Sequence, residues 1–193
     1  MTEPDSDYFF GRGRETVELI SALVATSDKL PILLGNSGVG KSSVAQAGAI
    51  AAFMRQAWPE TAEAPGAWPH IFNASRRWCF LKLKPGSEPV RSLVEPFLWT
   101  WQFEATDPKR AKIQSSWVDE LLNGRVKLRD LLDATQARYR DELQQTEPPS
   151  FLIYIDQGEE LYVRAEERQR RRFSEIIGEP WGQPPPRDDE HAE

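Results

Sequence analysis

Gly35, Asn36, Ser37, Gly38, Val39, Gly40, Lys41 and Ser42 form an unbroken GNSGVGKS stretch that fits G-x-x-x-x-G-K-[ST] at every fixed position. Each residue type has a chemical reason. Glycines let backbone N–H groups close around a polyphosphate where a Cβ would block the approach. Lys41 opens the following helix and reaches the β and γ phosphates, and the positive end of that helix adds its own attraction. Ser42 offers a hydroxyl to Mg2+, and Ser43 completes the nucleotide-binding stretch. The bland alternative is an ordinary glycine turn before a helix. An apolar run before the loop and an Ala-rich stretch after it favour a nucleoside triphosphate site.

Phosphate-loop chemistry also needs a carboxylate at the end of a neighbouring strand, where it holds the metal shell. FLIYID at 151–156 supplies an apolar run ending in Asp156, with Glu159 and Glu160 just beyond. Ser42 and Asp156 are therefore the expected metal residues. Asp156 can also cap the helix that starts near Glu159, and the two roles are compatible. Gln157, directly after Asp156, cannot accept a proton from water. That leaves Glu159 or Glu160 to polarise the attacking water, or else a site that binds tightly and turns over slowly.

The elements that must position these groups follow from periodicity. A helix is expected over 16–24, with Val17, Leu19, Ile20 and Leu23 apolar. LPILL at 30–34 suits a strand buried on both faces, with Pro31 near its start. An Ala-rich helix follows over 41–58, then a surface loop over 59–77. WCFLKL at 78–83 is the second expected strand, and 89–103 a helix with Pro96 as an internal irregularity. Helices over 117–122 and 126–143 flank Asn123-Gly124; the second presents Leu128, Leu131, Leu132, Thr135 and Tyr139 on one face. The third strand is 151–155 and a charged helix covers 159–177. Strands alternating with helices point to an α/β fold, a P-loop three-layer α/β/α domain with a parallel sheet over 8–178. Residues 1–7 and the Pro-rich acidic stretch 179–193 read as disordered tails.

Composition narrows the function. The chain has 193 residues, enough for one domain, and a formal charge of −6, which argues against nucleic-acid binding through phosphate neutralisation. Cys79 alone cannot form an internal disulfide, and His70 and His191 are too isolated for a histidine metal cluster. No run approaches a membrane span and the N-terminus is acidic, so a soluble cytoplasmic chain is expected, with no membrane partner.

Four stretches, in order, resemble the novel STAND NTPases, relatives of the NACHT and AAA+ ATPases. They are YFFGRGRE at 8–15, GNSGVGKSSVAQAG at 35–48, KPGSEPVRSL at 84–93 and IDQGEELY at 155–162. The resemblance covers about 8–177 and implies an ATP-driven switch using ATP/ADP and Mg2+. ADP would hold a closed monomer, and ATP would favour an open state that oligomerises and engages an effector or sensor partner, in signalling or bacterial defence. By the same resemblance Phe10, Gly11 and Arg12 lie near the adenine through main-chain contacts, and Glu159 activates water. The sequence departs from the family pattern at Gly13, where a charged helix former is usual. It also runs out soon after Ile177, so a C-terminally truncated domain is expected, without the next strand, the distal arginines and the winged helix.

Two other classes compete. A non-catalytic interaction fragment would bury its open sheet edge against a partner or another copy. A small-molecule kinase would use the same loop, but 8–15 has no role there. The remaining features have ordinary readings: Cys79 as a buried thiol, Arg164 to Arg172 as a solvated charged face, Trp99 and Trp101 as packing residues.

Overall fold

The structure is a computed structural model that describes residues 11–25, 31–36, 38–60, 62–101, 107–143 and 149–178. The expectations for 1–7 and 179–193 lie outside the described residues, as do Phe10 and Ser37. The chain divides between Trp78 and Cys79 into two compact units.

In the first unit, α1 (Gly13–Ala25) begins three residues earlier than its apolar periodicity. The Arg12 carbonyl accepts both the Thr16 backbone N–H at 3.1 Å and the Thr16 hydroxyl at 2.9 Å, which fixes the first turn. Gly13 is buried in that turn, so the missing side chain that weakens helix propensity is compatible with close packing there. After the phosphate loop one continuous helix runs as α2 (Lys41–Ser43), a π-helical stretch (Val44–Ile50) and α3 (Ala51–Arg55). Its buried residues include the small Ala45, Ala47, Gly48 and Ala49 beside Val44 and Ile50, and α1 packs against this stretch.

The stretch expected as a surface loop is instead the cap of that helix. Ser75 Oγ donates to the Phe53 carbonyl at 2.6 Å, and Arg76 donates to the carbonyls of Met54 at 3.0 Å and Arg55 at 3.2 Å. These are the orphan acceptors of a helix C-terminus, and the arginine charge suits the negative end. Phe53 meets Phe72 with ring centroids 4.8 Å apart and Trp78 at 5.7 Å, while Trp58 meets Trp68 at 5.3 Å. Prolines and alanines mark irregular backbone, but spaced aromatics within such a stretch can still build a core.

The expected first strand is not formed. Residues 31–36 carry no regular structure, and Ile32 and Leu34 are 78% and 84% exposed. Pro31 has no N–H for a ladder, and no strand among the described residues pairs with the segment. Apolar composition says what a segment could bury; it does not supply the neighbour.

The second unit holds β1 (Cys79–Leu83) and β2 (Phe151–Ile155), a parallel pair in the register Cys79↔Phe151 to Leu83↔Ile155. Parallel neighbours need a long crossover, and here it contains α4 (Pro89–Thr100), α5 (Pro108–Leu122) and α6 (Leu128–Leu143). α4 is central: Val90, Leu93, Val94, Phe97 and Leu98 are buried at near-helical period against β1, α5 and α6. α5 starts at Pro108, well before its apolar residues, because Asp107 caps it by accepting from the Lys109 N–H at 2.8 Å. The last expected helix is two, α7 (Glu160–Val163) and α8 (Glu167–Gly178); α8 closes the core with Phe173, Ile176 and Ile177. The described residues form helices and one parallel two-strand sheet, an arrangement compatible with the α/β class.

Candidate nucleotide site

Local backbone chemistry shapes the phosphate loop. Gly38 and Gly40 adopt φ of 82° and 85°, the left-handed region that a Cβ disfavours. Gly35 is close-packed instead: a Cβ there would stand 3.0 Å from Val39 Cγ2, so Val39 would have to give, and at ordinary contact, 3.7 Å, from the Lys41 stem. The loop curls tightly enough for the Val39 N–H to approach the Asn36 carbonyl at 3.4 Å. Lys41 reaches back into that curl, its Nζ donating to the carbonyls of Gly35 at 2.6 Å and Asn36 at 3.0 Å. Gly40 is the N-cap of α2 and brings no side-chain acceptor to the first-turn N–H groups. Asn36, Gly38 and Val39 are exposed, and Lys41, Ser42 and Ser43 are half-buried along the helix start.

This donor set fits a polyphosphate. Left-handed glycines allow a loop to present N–H groups to an anion, an uncapped helix end adds positive potential, and Lys41 already reaches back over the loop. Upstream, Gly11 has φ 80° and Arg12 pairs with Glu15 at 2.7 Å. The Glu15 carboxyl is held below its usual range, by its own backbone N–H first and then by Arg12.

The acidic element belongs to the second unit and is set by long-range pairing. Asp156 extends the ladder one residue past β2, its N–H donating to the Leu83 carbonyl at 2.9 Å. Strand alternation puts Ile153 and Ile155 with Leu81 and Leu83 on the core-facing side, and Lys82, Tyr154 and Asp156 on the other. The Tyr154 hydroxyl donates to Asp156 Oδ1 at 3.1 Å, and Lys82 Nζ stands 3.9 Å from Oδ2. Asp156 is only 6% exposed. The chain then turns sharply through Gln157, a non-glycine residue at φ 58°. The Glu160 N–H bonds the Gln157 carbonyl at 2.9 Å, which starts α7 with Glu159 exposed at its N-cap. Glu160 is drawn toward Arg164, 3.6 Å away, whereas Glu159 faces solvent.

The predicted residues thus fall into two groups. Gly11, Arg12, Gly35, Asn36, Gly38, Val39, Gly40, Lys41, Ser42 and Ser43 lie in the first unit, and Asp156 and Glu159 in the second. The Ser42 hydroxyl and the Asp156 carboxylate are each oxygen donors of a kind that Mg2+ takes, an ion that keeps much of its water and needs few protein ligands. No group of three or more His, Cys, Asp or Glu side chains suited to a metal occurs among the described residues. Sequence reading missed Lys82 and Tyr154. The signal was present, a lysine interrupting CFLKL and a tyrosine interrupting FLIYI, but only the strand register makes them neighbours.

A family model described as Novel STAND NTPase 1 matches residues 1–187. None of the curated proteins or solved structures compared with the chain matches it. No helix among the described residues is long and apolar enough to cross a membrane.

Proposed function

The chain belongs to the novel STAND NTPase family, and from that premise we propose that it is an ATP-binding switch module that uses Mg2+ and hydrolyses slowly. The observation carrying this reading is the phosphate loop itself, with left-handed Gly38 and Gly40 and Lys41 folded over its own carbonyls. In this reading Lys41 leaves the Gly35 and Asn36 carbonyls and binds the β and γ phosphates. The N–H groups of 35–43 hold the phosphate oxygens, while Phe10, Gly11 and Arg12 flank the base. Ser42 and Asp156 hold the divalent cation, whose chemistry is to neutralise charge on the phosphoryl oxygens. Glu159 orients water from the N-cap of α7, because Gln157 cannot take a proton. ATP/ADP exchange would set whether the module meets a second copy or an effector or sensor partner, in signalling or bacterial defence.

Calorimetry with ATP and Mg2+ tests the binding step. Lys41→Ala should weaken binding by roughly a hundredfold, given a charge-assisted contact to phosphate; unchanged affinity would remove this loop from the site. Glu159→Gln should lower turnover and spare binding, and equal turnover would shift the water-orienting role to Glu160.

A second reading, a non-catalytic association module, is favoured by the exposed apolar segment at 31–34. Light scattering with and without ATP separates the two, since nucleotide-independent association would support the second.

A further inference from the structure

A carboxylate buried as deeply as Asp156 is costly unless opposite charge and hydrogen bonds compensate it. Two side chains from the same sheet face do so, and they are unlike. Tyr154 is fixed by its place in β2 and donates a true hydrogen bond at 3.1 Å. Lys82 comes from the paired position on β1, and its ammonium stands at ion-pair distance, 3.9 Å, beyond hydrogen-bond reach. Its side chain is 43% exposed on a flexible stem, against 7% for Asp156. A long lysine stem that is partly exposed can shift its ammonium relative to the carboxylate without disturbing the ladder, whereas the tyrosine contact stays with the strand.

We propose that Lys82 is a positioning residue that supplies the counter-charge of Asp156 when no divalent cation is bound, and that cation and lysine compete for this carboxylate. The inference rests on the reading of Asp156 as a cation-holding group. Lys82 offsets the charge of the buried carboxylate and helps hold it in place, at the cost of weaker cation affinity. It also gives the second unit a way to register the cation, because loading Asp156 releases a positive side chain from the sheet face into solvent.

The test uses the full chain without nucleotide, with Mn2+ as the probe and its binding followed by electron paramagnetic resonance. Lys82→Met keeps the stem and removes the charge. It should bind Mn2+ roughly two- to fivefold more tightly than wild type, the range expected for a partly exposed ion pair. It should also melt at a lower temperature in EDTA and regain more on adding Mn2+. Lys82→Arg, still charged, should stay near wild type. Lys82→Met with Asp156→Asn should lose the tightened binding. Equal Mn2+ affinity for wild type and Lys82→Met overturns the proposal, as does tightening that survives in the double variant. If Lys82→Met does not fold, Lys82→Gln is read in the same titration against the same criteria. Loss of Mn2+ binding in Asp156→Asn with no effect at Lys82 would sink the lysine alone. Unchanged binding in Asp156→Asn would sink the reading of Asp156 beneath it.

Discussion

The two units hold their functional groups in place by different means. In the first, the phosphate loop is local: neighbouring glycines set its turns, and the helix that follows packs small residues against α1 and ends in an aromatic cluster. In the second, Asp156 is where it is because a strand pairs with another far away in sequence, over an aliphatic core centred on α4. A loop specified by its own residues needs little support from elsewhere. A carboxylate specified by register moves whenever the register moves. The phosphate loop and the Asp156 carboxylate should therefore be disturbed by different sets of mutations.

The largest effects break the comparison at the cores. Phe97 and Phe53 are both fully buried, and truncating either to alanine should cost about 3–5 kcal/mol. Hydrogen exchange should show loss of protection in β1, β2 and α4 for Phe97→Ala, and in α1 and the phosphate-loop helix for Phe53→Ala. Uniform loss across the chain in both variants would show one cooperative block and erase the contrast. A smaller effect sharpens the local side of it. Gly40→Ala forces a Cβ into φ 85° but meets no atom within 4 Å, so the cost should be the backbone strain alone, about 1–2 kcal/mol. Denaturant titration reads that cost; a much larger loss would mean that the loop is crowded as well as strained. The smallest effect belongs to the second core. Burial, and then the hydrogen bond with Cys79, push the Tyr139 hydroxyl up to about 12 from an ordinary 10. Because the folded form holds the proton more tightly, this stabilisation is complete below pH 10 and is lost as pH rises toward 12. Tyr139→Phe should flatten the fall in melting temperature across that window, and an unchanged slope would assign the alkaline loss to other groups.

Much of this was legible in advance, for identifiable reasons. The phosphate motif is contiguous, so its residues could be named from sequence, and Gly38 and Gly40 take the left-handed backbone that glycine permits. The expected strand at 151–155 coincides with β2, and the face Leu128, Leu131, Leu132 and Thr135 is buried in α6 as its spacing predicts. Failures arose where a partner, not a period, decides. LPILL has the composition of a strand without a paired neighbour among the described residues. The polar first half of α5 is helical because Asp107 and Pro108 start it, a cap signal that apolar periodicity ignores. Lys82 could not be assigned a role until β1 and β2 were set side by side.

The aromatic cluster under the phosphate-loop helix has an optical consequence. Trp68 and Trp78 lie within 6.2 Å and 5.7 Å of the Phe53 ring, and Phe53 belongs to the last turn of the helix that Lys41 begins. Trp58, which joins the cluster through Trp68, ties its indole N–H to the Gly66 carbonyl at 2.9 Å. Any displacement of that helix changes the packing and solvation of these indoles, and so the wavelength and yield of their emission. The protein carries built-in fluorophores at the far end of its phosphate-loop helix, and with Trp99, Trp101, Trp117 and Trp181 replaced by phenylalanine their emission should follow the loop without an attached dye.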